Sequence, residues 1–281
     1  MNQVDEQKIF TMGFVGGSIE SAVGHTHQIA SQMDGRWRLE AGCFSQNEVI
    51  NSQTSKEWGI SPSRTYDSYQ SLLQHEKGRL DVIVVLTPTP THSEMVIDIL
   101  NAGFGVICEK SLCVTSQEAL LIEAAVIKNS QFLAVTLNYS GYPMLRELKD
   151  KIAGGQLGTI QQVQIEMPQE GFARLDSKGQ KPCPQNWRLK DGKVPTISLD
   201  LGVHLQHIIY FLTQAHPLEV VADQSSYGWF YGVVDDVSCL IRYSDNIRCQ
   251  MWYSKTAIGQ RNGLKLRIYG TKASAEWMQM Q

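Results

Sequence analysis

The stretch MGFVGGSIESAVGHTH, residues 12–27, decides how the chain is read. An apolar run ends at Val15, a glycine pair follows at Gly16 and Gly17, and a helical pattern starts near residue 22. Strand, glycine turn and helix in that order place backbone N–H groups at a helix N-terminus, where they can hold a phosphate anion. A dinucleotide-binding turn spaced G-x-G-x-x-G would put glycines at 16, 18 and 21. Here only Gly16 fits, since Ser18 and Ser21 occupy the other two positions, with Gly13, Gly17 and Gly24 as further small residues nearby. Serine at 18 hinders close approach of a pyrophosphate without forbidding it.

Working outward, the same grammar repeats up to about residue 140. Apolar strand-like runs alternate with helical patterns: IFTMGFVG, a helix near 22–33, RLEAGCFS, a helix from Asn47, DVIVVLTP, a helix closed by Gly103, GVICEK, a helix over SQEALLIEAAVIKNS, then FLAVTLN. The run DVIVVL is apolar on successive residues, as a strand buried on both faces of a parallel sheet must be. Strand and helix in strict turn predict an α/β fold with a doubly wound parallel sheet. From about residue 155 the period becomes two. In GLKLRIYG, Leu264, Leu266 and Ile268 fall on one face and Lys265, Arg267 and Tyr269 on the other, as in a half-covered, mostly antiparallel sheet. One strong helix, over SLDLGVHLQHIIYFLT, interrupts these strands. The chain therefore divides into residues 1–140, a Rossmann domain, and residues 141–281, an α+β domain with a large open sheet.

Composition narrows the partners. A net charge of −3 across 281 residues, with scattered lysines and arginines, excludes the basic face that nucleic acid requires. The six cysteines form no C-x-x-C pair and the start MNQVDEQK has no apolar signal core, so a cytoplasmic protein with reduced thiols is expected. No apolar run approaches the roughly 20 residues of a membrane helix.

The polar residues collect at strand ends, where doubly wound folds bind ligands. LTPTPTH supplies Thr87, Pro88 and His92; CEKSL supplies Glu109 and Lys110; LNYSGYP supplies Asn138 and Tyr139. In the second domain Asp200 and His204 stand four apart, which in a regular helix puts them on one face. A carboxylate there orients an imidazole and favours its charged form. The structural alternative is an ordinary helix pair. His207 would extend the row toward a metal site, but too few further ligands are at hand, and no metal is expected.

Together these residues resemble the glucose-fructose oxidoreductase, inositol dehydrogenase and MocA family of nicotinamide-dependent oxidoreductases. The resemblance runs through the glycine turn and His27, then TPTPTH, EKSL, NYSGYP, NWR, DLGVH and LKLRIYGTKASAEW, in order and over nearly the whole chain. It implies that Lys110, matching the lysine of the family's E-K-P motif, stands beside the nicotinamide and the reacting hydroxyl. Asp200 and His204 match its D-x-x-x-H pair, with His204 as general acid/base. Gly13, Gly16, Gly17, Ser18, Thr87, Pro88, His92, Glu109, Lys110 and Asn138 match the cofactor side; Tyr139, Trp187 and Arg188, with Lys110, Asp200 and His204, match the substrate side.

The implied reaction is hydride transfer between NAD or NADP and a secondary alcohol or ketone of a sugar, cyclitol or nucleotide sugar. Two alternatives are an NAD-dependent glycoside hydrolase and a dinucleotide sensor without turnover. The end of the second strand reads CFSQNE, with Ser45 and Asn47 to meet a ribose and no cation to hold a 2′-phosphate, which favours NAD. Ser111 replaces the proline that usually follows the lysine. Similar proteins continue well past the position of Gln281, so the second sheet is expected to be partly uncovered, and a homodimer or homotetramer built on it is implied. Tyr269, Lys265, Arg267, Arg242, Tyr243, Trp252 and Tyr253 are the residues expected on that outer face.

Overall fold

The computed structural model describes residues 8–279; the N-terminal stretch and the chain end discussed above lie outside them. Two compact units emerge, Met1–Thr136 and Leu137–Gln281.

In the first unit the elements run β1 (Phe10–Gly16), α1 (Ala22–Gln32), β2 (Trp37–Cys43), α2 (Glu48–Glu57), α3 (Tyr69–His75), β3 (Val82–Leu86), α4 (His92–Asn101), β4 (Gly105–Cys108), α5 (Ser116–Asn129) and β5 (Leu133–Val135). The strands are parallel, in the order β2-β1-β3-β4-β5. Every residue of β3 is buried, and its side chains alternate between two cores. Val82, Val84 and Leu86 join Phe14 and Phe44 on one side of the sheet, while Ile83 and Val85 join Val96, Ile99 and Leu100 on the other. That two-sided burial is why the sequence shows an unbroken apolar run. The chain leaves β1 for one edge and returns to β3 on its other flank, so the switch point lies between the carboxyl ends of β1 and β3, where such sheets bind ligands.

The caps that start these helices are polar side chains placed where the sequence pattern breaks. Ser21 accepts from the Gly24 N–H, Asn47 from Val49 and Ile50, Ser68 from Ser71, and Thr115 from Glu118. Each satisfies a donor that the first helical turn would otherwise leave open.

The second unit contains α6 (Pro143–Ala153), β6 (Ile160–Pro168), α7 (Val203–Thr213), β7 (Pro217–Ser225), β8 (Asp236–Tyr243), β9 (Arg248–Ser254), β10 (Lys265–Gly270) and β11 (Ser274–Met278). Its six strands follow the order β11-β10-β6-β9-β8-β7. All neighbours are antiparallel except β6 and β9. The expected alternation in β10 holds: Leu264, Leu266 and Ile268 are buried, and Tyr269 is exposed. Full burial of each such aliphatic side chain contributes about 1.5–3 kcal/mol. They pack with Leu145 and Leu148 of α6 and with Leu205, Ile208, Ile209 and Leu212 of α7. Helix α6, opened by Pro143 at its first turn, was not anticipated from the sequence.

The opposite face carries Val221, Leu240 and Tyr269 as exposed side chains. Two of the aromatics expected there are elsewhere. Tyr243 and Tyr253 are buried in the core beneath α7, because they alternate with Arg242 and Trp252 along their strands and so point inward. Among the described residues no helix is long and apolar enough to cross a membrane.

Candidate active site

The glycine turn answers the question its sequence raises. Gly16 and Gly17 both adopt the left-handed backbone, at φ 79° and 73°, which a side chain would strain. A Cβ on Gly16 would lie 3.0 Å from the Thr87 methyl, and one on Gly17 2.4 Å from a Leu86 methyl. The close helix-to-strand packing that the third fingerprint glycine normally allows falls to Gly24: a Cβ there would sit 2.0 Å from the Gly17 carbonyl oxygen. Ser21, at the third glycine's place in the spacing, is free to cap α1. The turn is thus glycine-dependent at 16, 17 and 24, and it tolerates serine at 18 and 21. Gly13 lies inside β1, where a Cβ would meet Leu80 and Ile83, so its role is in packing under the turn. These features fit a dinucleotide: a tight turn at the carboxyl end of β1 leads into the N-terminus of α1.

Beside it, the loop after β3 is held rigidly. His92 is fully buried, and its two ring nitrogens lie 2.7 Å from the Thr87 and Ser111 carbonyl oxygens. Burial pushes its pKa down, so the neutral ring, with its single N–H, donates to one of the two. The ring is therefore a strut that ties the TPTPTH loop to the segment after β4. Thr87 also accepts a hydrogen bond from the Thr91 hydroxyl at 2.8 Å, and Pro88 leads into the short turn Thr89–Thr91.

Glu109 and Lys110 follow β4 directly. The Glu109 carboxylate accepts from His27 Nε2 at 2.8 Å and from the Thr136 hydroxyl at 2.7 Å. Burial works to raise its pKa, but the hydrogen bonds from His27 and Thr136 outweigh that and hold the carboxyl below its usual range. An ionised Glu109 pinned by α1 and the end of β5 fixes the start of the Lys110 segment, whose Lys110–Ser111 peptide is cis.

At the end of β2, Ser45 accepts from the Asn47 N–H at 3.1 Å and the Asn47 side chain caps α2. The segment after α2 returns alongside β2, with the Tyr66 N–H donating to the Gly42 carbonyl at 2.8 Å. Asp67 thereby comes beside Cys43, where its charge adds to burial in pushing that thiol up to about 11.

In the second unit Asp200 and His204 are both buried, at 8% and 6% exposure. The regular helix expected to carry both is replaced before Val203 by a π-helical turn, Ser198–Gly202, that contains Asp200. Such turns recur at functional sites. The turn is pinned by a 2.9 Å hydrogen bond between the Ser198 and Tyr253 hydroxyls, and Gly202 lies where a Cβ would press on the Tyr253 ring. The Asp200 carboxylate receives Lys255 Nζ and the Arg188 guanidinium on one oxygen, Oδ2. Arg188 in turn stacks on Trp187, 4.5 Å from the ring centre, and both lie in a short turn, Asn186–Leu189. Tyr139 meets the His204 ring edge to face at 4.8 Å, and Asn138 is exposed at the start of the same short turn. Lys255 carries no motif, and its partner is 55 residues away; nothing in the sequence signals it. Among the described residues no cluster of three or more His, Cys, Asp or Glu side chains could hold a metal ion.

Comparison with known proteins agrees with this geometry. Residues 10–137 match the family model for an oxidoreductase with an NAD-binding Rossmann fold, and residues 145–276 match the GFO/IDH/MocA C-terminal domain. An uncharacterized oxidoreductase, YfiI, of Bacillus subtilis is 32% identical over 272 residues, covering 94% of this chain and 69% of its own. The 1,5-anhydro-D-fructose reductase of Ensifer adhaerens is 25% identical over 252 residues, 87% of this chain and 72% of that one. Among solved structures, an inositol dehydrogenase homolog of Azotobacter vinelandii, complexed with NADH and myo-inositol, superposes with a TM-score of 0.87 at 26% identity, over 96% of this chain and 70% of that one. A glycine-dependent turn at the Rossmann switch point, a mixed second sheet and matches along both units lead to one conclusion: the chain belongs to the Gfo/Idh/MocA family of oxidoreductases.

Proposed function

We propose that the protein transfers a hydride between a nicotinamide dinucleotide and a secondary alcohol or ketone of a sugar, cyclitol or nucleotide sugar. The observation that carries this reading is the buried pair of Asp200, on a π-turn, and His204, in the first turn of α7 that follows it. Ionisable groups buried at such cost mark functional sites. The dinucleotide, when bound, accepts or gives the hydride. Gly16, Gly17, Ser18, Thr87, Pro88, Glu109 and Lys110 would hold it in the first unit, with His92 and Gly13 supporting them from within the fold, and the resemblance adds Asn138 of the second unit. His204 removes the hydroxyl proton as the alcohol is oxidised and returns it in reduction, and the Lys110 ammonium stabilises the developing alkoxide. General-base assistance of this kind is worth about 10²- to 10⁴-fold, so positioning by Tyr139, Trp187 and Arg188 supplies much of the remainder.

NAD is the favoured cofactor. The end of β2 offers Ser45, and the nearby Asp67 carboxylate, which acts on Cys43, would repel a 2′-phosphate. The open face of the second sheet, with Leu240, Val221 and Tyr269 exposed beside Arg267 and Trp252, suits a two-fold contact between copies. It supports a homodimer or homotetramer, which light scattering would read directly.

The test is a screen of cyclitols, aldoses and nucleotide sugars with NAD and with NADP, following net reduction of the nicotinamide. Net reduction with a free polyol supports the dehydrogenase. Release of a glycosidic substituent without net reduction would replace it by the hydrolase chemistry of the same site.

A further inference from the structure

Lys255 is a buried cation that the proposed reaction does not use. It follows β9 immediately, and its backbone is clamped on both sides: its N–H donates to the Asp235 carbonyl, and its own carbonyl accepts from the Phe172 N–H, each at 2.8 Å. Its side chain is only 8% exposed. The ammonium sits 4.9 Å from the centre of the Phe172 ring and bonds Asp200 Oδ2. Burying an ammonium costs several kcal/mol unless a carboxylate and further contacts offset it, and here a carboxylate and a ring face do so. Arg188 reaches the same oxygen from another loop, with its plane fixed on Trp187. One carboxylate oxygen therefore anchors two cations from two separate segments.

That arrangement bears on the imidazole one turn further along. A lone carboxylate beside a histidine favours the imidazolium, and a cation opposes it. With Lys255 and Arg188 drawn onto Asp200, the field that Asp200 exerts on His204 is partly cancelled. Among the described residues of the second unit, the titratable groups nearest to His204 in the fold are Asp200 on the preceding turn, His207 on its own helix and Tyr139, whose ring meets its own at 4.8 Å; Lys255 and Arg188 bear on it through Asp200, and Tyr253 holds the π-turn through Ser198. Tyr139 stays neutral, because burial raises its pKa. His207 is desolvated in the same sense, toward its neutral form.

We infer that Lys255 is a positioning residue that restrains Asp200 and keeps His204 a neutral base at physiological pH. The inference rests on the assignment of His204 as acid/base, but it is tested without turnover. In the full chain, free of cofactor and substrate, NMR titration of histidine labelled in the ring reads the His204 midpoint, with His204→Gln identifying its signal among the seven histidines. Lys255→Met removes one of the two cations on Asp200 Oδ2, so more of its charge acts on His204 and the His204 midpoint is expected to rise by about half a unit or more, with Lys255→Arg leaving it close to wild type. Arg188→Gln, at a more exposed position, moves it in the same direction by less and serves if Lys255→Met does not fold.

In turnover, a raised midpoint means that oxidation is lost at a higher pH as the solution is acidified, so the acid limb of kcat/KM shifts to the alkaline side. A merely structural lysine would lower rates without moving that limb. A His204 midpoint unchanged in folded Lys255→Met, or in Arg188→Gln where the former does not fold, overturns the inference. Absence of turnover on every polyol would count against the proposed reaction and leave the titration result standing.

Discussion

The carboxyl edge of the first unit and the buried charge cluster of the second are assembled in opposite ways. At the edge, each polar residue follows its own strand by a few positions: the glycine turn after β1, Thr87 after β3, Glu109 and Lys110 after β4. The cluster instead joins Arg188, Asp200 and Lys255, brought together by a loop, a π-turn and the end of a strand. The comparison teaches that a site made by one repeated backbone geometry can be lost or kept turn by turn, whereas a site made by converging charges stands or falls together.

The largest effect separates the chemistry from the frame. Lys110→Ala and His204→Ala should each lower kcat by about 10²-fold or more, and His204→Ala should leave cofactor affinity nearly unchanged, as steady-state kinetics beside calorimetry would show. If His204→Ala kept near-normal turnover, the acid/base role would pass to another group and the contrast between edge and cluster would lose its meaning.

Gly16→Val probes the edge alone. With φ at 79° and the Thr87 methyl 3.0 Å from the position of a Cβ, a valine side chain would displace the turn's backbone from the anion, and dinucleotide binding is expected to weaken by about tenfold or more. Fluorescence titration would measure it, and unchanged affinity would mean that the turn does not approach the cofactor.

Asp200→Asn probes the cluster. The imidazole keeps its place but loses its anionic neighbour, so kcat should fall less than in His204→Ala. The two cations that share Oδ2 lose their carboxylate at the same time, so thermal unfolding should move to lower temperature as well. A variant with wild-type stability would show that the three charges are not one unit.

The smallest effect concerns pH and the frame of the first unit. Glu76 is wholly buried; burial works to raise its pKa, but hydrogen bonds from Arg64 and Tyr66 hold it below the usual range. A depressed carboxyl contributes stability that is fully present above its unfolded pKa of about 4.3 and is lost as the pH falls through the lower folded value. Denaturant midpoints should therefore decline in that acid window, and Glu76→Gln should flatten the decline.

How much was legible follows from the same contrast. Local grammar made the first unit readable: DVIVVL announced a strand buried on both faces, and Asn47 and Gly103 marked helix ends because capping and left-handed backbone select those residue types. The alternation in GLKLRIYG revealed the half-covered sheet. The same alternation, applied strand by strand, would have turned Tyr243 and Tyr253 inward; reading them by residue type placed them on the wrong face. The π-turn was invisible because its extra residue is stabilised by tertiary partners, Tyr253 and Lys255, that carry no local pattern. Lys255 itself was illegible for the physical reason that a buried ion pair is defined by its partner, and that partner lies 55 residues away.

The claim on which the rest depends is that a glycine turn with serine at positions 18 and 21 still holds a nicotinamide dinucleotide. Calorimetric titration of the intact protein with NAD and with NADP tests it most directly. Saturable one-to-one binding, tighter for NAD and weakened by Gly16→Val, is the predicted result; the absence of binding by either dinucleotide to the folded protein would contradict it.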